Sequence, residues 1–297
     1  MKTLSVLVKR NAKIYFQDKG LFLTSLITPL ILLVLYGTFL RKVYEDSFRQ
    51  VLTAAGIQIS DKILAGCVGG QLFSAMLAVS CVTVAFCSNL VMVQDKVTGA
   101  RRDLTISPVK ASTLALGYYF ATLLSTLIVC LTALGVCFVY LAITGWCLRL
   151  ADVAAVLLDV ILLVLFGTAL SSCILFPMST QGQASGVGTI VSSGYGFICG
   201  AYMPISSFSK GLQNVVALLP GTYGTALMRN HAMNGPFAAM EAEGVPAVVI
   251  DAIRDSVDCN IYAFGTKVAV PGMYAILLGT IVFLVLLYIL LNRLHRK

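Results

Sequence analysis

Residues 63–93 read ILAGCVGGQLFSAMLAVSCVTVAFCSNLVMV, a run of 31 positions without one charged side chain. A helix that crosses a bilayer needs about 20 mostly apolar residues, so this run is longer than one perpendicular crossing. Gly66, Gly69 and Gly70 indicate a start that is either irregular or packed closely on a neighbouring helix. The run predicts a long membrane-spanning helix, and the rest of the fold is built outward from it.

Five more apolar stretches are long enough to cross a membrane. The stretch at 21–40 is not a secretory signal peptide, because it is too long, contains Pro29 and precedes no small-residue cleavage site. The uncharged run at 111–148 is interpreted as one long helix, because no polar turn interrupts it before Thr144. The six stretches predict an all-α polytopic membrane protein with six transmembrane helices, at residues 21–40, 63–93, 114–143, 153–176, 185–203 and 273–291.

The composition excludes a water-soluble protein. Of the 297 residues, 58% are hydrophobic and 11% are charged, against about 25% charged residues in a soluble domain. The mean hydropathy is +0.91, which is also unlike a disordered chain, since such chains are polar and rich in charge. The nine cysteines form no Cys-x-x-Cys pair, so we expect neither a thiolate metal site nor a disulfide framework.

The net charge of +8 is unevenly distributed between the two sides of the predicted bundle. The N-terminal segment, the loop after the second stretch and the C-terminal tail hold twelve Lys and Arg but only three Asp and Glu. The longer loops of the other side, with Asp159 counted there, hold nine and ten. The positive-inside rule then predicts that both termini are cytoplasmic. We expect a multi-pass protein of a bacterial-type cytoplasmic membrane. The surplus does not indicate nucleic-acid binding.

The N-terminal segment, residues 1–20, predicts an amphipathic helix. Its apolar residues recur at helical spacing, and Lys9, Arg10 and Lys13 fill the gaps between them. Such a helix lies in the membrane interface, where its cations favour the anionic cytoplasmic leaflet.

The loop at 94–110 is the most charge-dense internal stretch. It is long enough for a helix across the membrane plane, which Gly99 interrupts and Pro108 ends. It is either a topology-setting basic loop or a docking element for a cytoplasmic partner, and charge alone does not separate the two. The site residues that we single out in it are Asp95, Lys96, Gly99, Arg101, Arg102 and Asp103.

Two loops are predicted on the opposite, external side. The segment at 204–271 is the longest and still contains apolar stretches, which favours short helices that dip into the outer interface or re-enter the membrane. The loop at 41–62 is polar and is expected to be partly helical.

The sequence contains no catalytic constellation. A Walker A motif, a zinc His-Glu-x-x-His motif and a Gly-x-Ser-x-Gly elbow do not occur. Asp159 lies inside a predicted span, seven residues after Asp152 and on the same helix face, and an intramembrane carboxyl is a functional candidate by default. We favour a structural contact with a neighbouring hydroxyl or amide over a proton relay, because one carboxyl makes a poor relay. An aspartyl protease would need a second intramembrane carboxyl, and no other predicted span contains one.

The order of elements resembles a known family. An Asp-Lys-x-x-Gly-Ala-Arg-Arg-Asp-Leu-x-x-Ser-Pro loop joins the second and third stretches, and a Gly-rich fifth stretch runs into Met203-Pro204-Ile205. Leu219-Pro220-x-x-Tyr223 follows, with Arg229 six residues later, and the last stretch ends in a basic tail. This arrangement is similar to the membrane subunit of type-two ABC exporters, which include drug, antibiotic and polysaccharide exporters. The chain departs from the family at Gly221, where a bulkier apolar residue is usual.

The resemblance implies a permease without its own ATPase site. Residues 21–297 would form a single transmembrane permease domain that moves a drug, antibiotic, peptide or lipid-like substrate outward. ATP and Mg²⁺ would bind to separate ABC ATPase subunits, so this chain would not be an enzyme and would hold no cofactor. Two permease chains, as a homodimer or a heterodimer, would pair with two ATPases in the lipid membrane.

The resemblance also implies roles for particular segments. The loop at 95–107 would be the coupling helix, with Arg101, Arg102 and Asp103 as ATPase contacts and the N-terminal helix beside it. The first, second and fifth spans would line the substrate path. The region that holds Pro204, Pro220, Tyr223 and Arg229 would form re-entrant helices that cap the outer exit. The alternatives are a proton-coupled secondary carrier that uses Asp159, for which we see no internal repeat, and a non-transporting immunity or sensor subunit of an ABC complex.

Overall fold

The apolar runs of the sequence fold into long helices. The computed structural model describes residues 2–107 and 109–294, and helices dominate this part of the chain. A short antiparallel hairpin pairs β1 (Ile261–Ala263) with β2 (Thr266–Val268). The helices are α1 (Lys2–Gln17), α2 (Lys19–Leu35), α3 (Arg41–Ala54), α4 (Asp61–Val97), α5 (Ala100–Ile106), α6 (Ala111–Thr144), α7 (Leu150–Leu175), α8 (Gln181–Ile198), α9 (Lys210–Val216), α10 (Pro220–Ala242), α11 (Ala247–Ser256) and α12 (Val270–Leu294).

Long apolar helices account for most of the predicted spans. Within the described residues, five helices are long and apolar enough to cross a membrane, and they confirm the all-α polytopic class. The sixth predicted span, 185–203, falls on α8, which has 18 residues and is rich in Gly and Ser. At 1.5 Å per residue α8 is about 27 Å long, and its crossing of the membrane stays a prediction. The five apolar helices are Lys19–Thr53, Asp61–Val97, Ala111–Thr144, Leu150–Leu175 and Val270–Leu294.

The helices reach further than the apolar runs that predict them. A π-helical turn at Tyr36–Leu40 joins α2 to α3, so the predicted loop 41–62 continues the first span as a helix through Ala54. We call the end of the bundle that holds α1 and α5 the basic end. The other end, which holds α3, α11 and the hairpin, is called the opposite end. Pro108, His295, Arg296 and Lys297 lie outside the described residues.

The 31-residue uncharged run forms the centre of the bundle. It lies within α4, which packs against α2, α6, α7, α8 and α10 and buries most of its side chains. The alternative of an irregular start is wrong, because α4 begins regularly after Ser60, whose hydroxyl accepts the N–H of Ile63. The alternative of close packing is right. A Cβ added at Gly70 would lie 2.8 Å from the carbonyl oxygen of Ala232 in α10.

The segment at 204–271 contains a longer helix than the sequence suggests. α9 has seven residues, as expected of a short helix, but α10 has 23. The expectation of short helices alone is therefore wrong for α10, which is buried between α4, α7 and α12. Small residues allow this burial, because a side chain at Gly235 would overlap the backbone carbonyl of Cys147 in the segment between α6 and α7.

Candidate functional site

The charged loop folds as a short helix at the basic end. Gly99 takes a left-handed backbone (φ +83°) between α4 and α5, which a glycine adopts at little cost, and this turns the chain sharply after the second span. Arg102, Asp103 and Ile106 of α5 are exposed, and Ile106 is 76% exposed. We call these three side chains the coupling surface.

Arg101 lies on the other side of α5, against the body of the bundle. Its Nη2 atom donates to Oδ1 of Asn292 in α12 at 3.3 Å, and its guanidinium lies 5.1 Å from the ring centroid of Phe176. The neighbouring Leu104 is half-buried on the same side. Arg101 therefore holds α5 to the last span, whereas the sequence placed it with Arg102 and Asp103 as a partner contact.

Lys96 fixes the last turn of α4 to the end of α7. Its ammonium group donates to the carbonyl oxygens of Phe176 and Met178, the latter at 2.8 Å. It also lies 5.1 Å from the centroid of the Phe176 ring. A cation at the end of a helix satisfies carbonyls that have no partner within that helix. The side chain thus uses two of its three N–H donors within the chain.

Asp95 connects α4 to α1 and α6. Its carboxylate accepts two hydrogen bonds from the Arg10 guanidinium, at 2.5 and 2.9 Å, and one from the hydroxyl of Tyr118 at 2.6 Å. The side-chain hydrogen bond with Asp95 raises the pKa of Arg10 further above its ordinary value, so the guanidinium stays charged. A bidentate pair of this kind fixes the relative orientation of the guanidinium and the carboxylate as well as their distance.

The N-terminal helix is amphipathic, as the sequence predicts. α1 buries Leu7, Asn11 and Tyr15 on one face, while Lys9 and Lys13 are exposed. The burial is close, because a Cβ at Gly117 in α6 would lie 3.0 Å from that of Leu7. Of the three cations named from the sequence, Arg10 turns inward to Asp95 and the two lysines face outward.

The predicted re-entrant region surrounds a buried arginine near the opposite end. Arg229 in α10 is 1% exposed, donates to the carbonyl of Gly200 at 2.8 Å and forms an ion pair of 3.6 Å with Asp258. Asp258 accepts the N–H of Ile205 at 2.6 Å, next to Pro204. Burial raises the pKa of the Asp258 carboxyl above its ordinary value, and the charge of Arg229 offsets only part of this increase.

The start of α10 explains the glycine that departs from the family. Pro220 is the first residue of α10, where its missing N–H costs nothing. The hydroxyl of Tyr223 donates to the carbonyl of Ala217 at 2.6 Å and closes the turn from α9. A Cβ at Gly221 would lie 2.5 Å from the hydroxyl of Tyr195 in α8, so a buried tyrosine fills the space of a larger side chain.

The intramembrane carboxyl has partners on two other helices. Asp159 in α7 accepts a hydrogen bond from the Tyr274 hydroxyl at 2.8 Å and lies 2.6 Å from Nδ1 of His231 in α10. Two helical turns earlier on the same face, the carboxylate of Asp152 accepts a hydrogen bond from the side-chain amide of Asn234 at 2.7 Å. The two carboxyls, seven residues apart, face the same neighbouring helix, as their spacing predicts. Both are engaged in contacts between helices.

A comparison with protein families now identifies the chain. A model described as an ABC-2 type transporter matches residues 2–232. The chain belongs to the ABC-2 type transporter family. No curated protein matches the chain as a relative. As an ABC-2 permease it is a multi-pass membrane component of an ABC transporter, and the family implies an ABC ATPase as its partner.

Several residues that organise this ABC-2 permease escaped the sequence analysis. Tyr118, Phe176 and Asn292 hold Asp95, Lys96 and Arg101 respectively, but each lies far along the chain from its partner. A weak signal exists for Tyr118 and Asn292, because polar side chains near the ends of apolar helices are costly unless they have partners. The partner itself is a property of packing and is absent from the sequence.

Proposed function

We propose that this ABC-2 permease is the membrane-spanning half of an ATP-driven exporter. A separate ABC ATPase would dock on the coupling surface, and the basic end would face the cytoplasm. The observation that carries the proposal is that one side of α5 is exposed while the other side is held against the bundle. Arg102, Asp103 and Ile106 are exposed, while Arg101 ties the opposite face of the same seven-residue helix to α12.

The connections of α5 support transmission of motion from a partner to the spans. α4 has 37 residues and is about 55 Å long at 1.5 Å per residue, and it ends two residues before α5. Arg101 adds a link to α12, and Lys96 adds one to the end of α7. A rigid-body movement of α5 would therefore move three long helices together, as alternating access by rocking helices requires.

The charge distribution supports the orientation. The basic segments named from the sequence, α1 and the loop that contains α5, lie at the same end of the bundle. Short basic loops are retained in the cytoplasm. The ATPase, which uses cytoplasmic ATP, would meet the coupling surface on that side.

A cavity between the first span and α8 supports an outward substrate path. It has a volume of about 480 Å³ and is lined by apolar side chains such as Leu32 and Phe197, with Ser192 and Ser193 among them. This mixture suits an amphipathic substrate, such as a drug, an antibiotic or a lipid-like molecule.

The outward face of α8 supports a second permease chain. A Cβ added at Gly182 or Gly186, which are four residues apart on one side of α8, would meet no atom within 4 Å, so this side is open in the single chain. In a membrane, small residues let two helices approach closely. The second chain would close the cavity between α2 and α8.

Co-purification with an ABC ATPase encoded beside this chain tests the coupling role. Arg102→Glu should reduce the ATPase retained on the permease by about tenfold or more, because it reverses a charge at the centre of the coupling surface. The matched control is Arg41→Glu, which makes the same change at an exposed site of the opposite end. A complex that tolerates Arg102→Glu as well as Arg41→Glu would refute the docking site.

Transport itself requires a separate test. The reconstituted complex should hydrolyse ATP faster in the presence of a transported compound, and a panel of amphipathic compounds would reveal the class. ATP hydrolysis that no compound stimulates, together with no substrate movement into inverted vesicles, would favour a non-transporting sensor or immunity subunit.

The second permease chain is tested on α8. Gly186→Leu should disrupt pairing, because its side chain would project from the open face where a close approach is proposed. Gly135→Leu on α6 is the control, since that position also has no atom within 4 Å. Equal dimer fractions for the two variants, measured by cross-linking in membranes, would contradict the assignment of α8 to the interface.

A further inference from the structure

A cavity lies under the coupling helix, separate from the proposed substrate path. Its volume is about 640 Å³, and it is bounded by α5, by the start of α6 at Ala111 and by the segment that follows α7, including Ser179. These positions are the ends of long apolar helices, where a bilayer changes from hydrocarbon to headgroups. The cavity is therefore at interfacial depth.

Two cations share this cavity. Lys96 and Arg101 both line it, and both lie 5.1 Å from the centroid of the Phe176 ring. Among the residues that the structure describes, no carboxylate comes within ion-pair distance of either. Asp95, the acid adjacent to Lys96, is engaged by Arg10. Two like charges without a counter-ion in a partly buried cavity favour the entry of an anion.

One donor of a residue that lines the cavity has no acceptor within the described chain. Nη1 of Arg101 is buried without a hydrogen-bond partner, while Nη2 donates to Asn292. A buried donor without a partner costs free energy, and a ligand oxygen would recover it. A planar guanidinium with a free N–H suits a phosphate oxygen in particular.

Most of the remaining lining residues are apolar. Ala111, Leu114 and Pro177 face the same space as Lys96 and Arg101. A free phosphate would gain nothing from these side chains, whereas the glycerol and first methylenes of a lipid would pack on them. Basic cavities between transmembrane helices at the interface bind acidic lipid headgroups.

From this cavity we infer a binding site for the phosphate of an anionic phospholipid headgroup, held by Arg101 and Lys96 between α5 and α7. The lipid would complete the contacts that fix the inner face of the coupling helix. The site concerns lipid rather than the transported substrate, and it does not depend on the direction of transport.

The test is thermal unfolding of the purified permease in detergent with added phosphatidylglycerol. A ligand that binds only the folded state raises the unfolding temperature with its concentration. We expect a saturable rise for the wild type with phosphatidylglycerol and none with phosphatidylcholine. Arg101→Gln should weaken the apparent affinity on the order of tenfold or more, as expected for a hydrogen-bonded charge. Arg101→Lys, which keeps the cation, should retain most of the effect.

Arg102→Gln is the matched control, because it removes the same charge from the adjacent, exposed position of the same helix. Ala111→Phe fills the cavity without a change of charge and should abolish the rise even if Arg101→Gln does not fold. An equal loss for Arg101→Gln and Arg102→Gln, or no rise for the wild type, would overturn the site. Inorganic phosphate that stabilises as strongly as phosphatidylglycerol would overturn the lipid assignment. So would stabilisation that requires the ATPase, since its carboxylate would then be the anion.

Discussion

The link between the N-terminal helix and the bundle gives the most quantitative prediction. Asp95 is 7% exposed and Arg10 is 33% exposed, and the pair forms two hydrogen bonds with a third from Tyr118. Asp95→Asn removes the charge and aims an amide donor at a guanidinium donor. We expect α1 to leave the bundle more often, since this pair joins it to α4.

The magnitude follows from the burial of the two groups. An exposed pair contributes about 0–1 kcal/mol, and breaking a fully buried pair costs about 3–5 kcal/mol. Because Arg10 retains solvent contact, about 2 kcal/mol is expected for Asp95→Asn, which is a factor of about 30 in the opening equilibrium. Tyr118→Phe removes one hydrogen bond to a charged acceptor and should cost about 1.5 kcal/mol, or about tenfold.

Limited trypsin digestion measures this opening. Lys9 and Lys13 are exposed, but cleavage after them requires local unfolding of α1. When opening is fast relative to cleavage, the rate follows the population of the open form. Mass spectrometry would therefore show cleavage about 30-fold faster in Asp95→Asn.

The control is a pair of the same chemistry without burial. Glu45 and Arg49 form an exposed ion pair in α3, with side chains 36% and 50% exposed. Glu45→Gln should leave cleavage at α1 unchanged. If Asp95→Asn and Glu45→Gln were both cleaved at the wild-type rate, the ion pair between Arg10 and Asp95 would not hold α1 in place.

Three further predictions concern the rest of the bundle. Gly235→Ala should lower stability by about 3 kcal/mol, because its Cβ would overlap the Cys147 carbonyl, whereas Gly279→Ala has open space and should be neutral or slightly stabilising in thermal unfolding. Asp159→Asn and Tyr274→Phe should each destabilise the fold, and their double mutant should show a coupling of about 1 kcal/mol, since the two side chains share a hydrogen bond; simple additivity would contradict it. Burial raises the pKa of the Cys259 thiol to about 12, so maleimide at pH 8 should modify it only after unfolding, as peptide mapping would show.

The sequence predicts the helices well because their cause is local. Long uncharged runs and the spacing of apolar residues in α1 are properties of neighbouring positions, and the structure follows them. Helix ends are less predictable, because α3 extends the first span with polar residues that the hydropathy of the run does not count. Gly70 shows the same limit. Its sequence fits either an irregular helix start or close packing on a neighbour, and only the position of α10 decides between the two.

Side-chain roles are less predictable, because partners come from distant segments. Lys96 and Arg101 read as parts of one basic loop, yet Lys96 is held by the end of α7 and Arg101 by α12 and Phe176. Asp159 shows the opposite case. Its predicted partner was a hydroxyl or an amide, and the hydroxyl of Tyr274 is one of its two partners, together with His231. An unpartnered carboxyl in lipid is costly, so some polar partner is expected for any such residue. Which residue becomes that partner depends on how the helices pack.

The adjacent arginines of α5 show how one motif serves two purposes. Successive residues of a helix are about 100° apart, so Arg101 and Arg102 point in different directions on a seven-residue helix. Arg101 binds α12 and keeps one buried donor without a partner in the described chain, while Arg102 stays exposed on the coupling surface. A partner that pulled on Arg102 alone would only unwind a short helix. Because Arg101 anchors the other side of α5, we expect the same force to reach α12, and an anion bound under α5 would stiffen that connection.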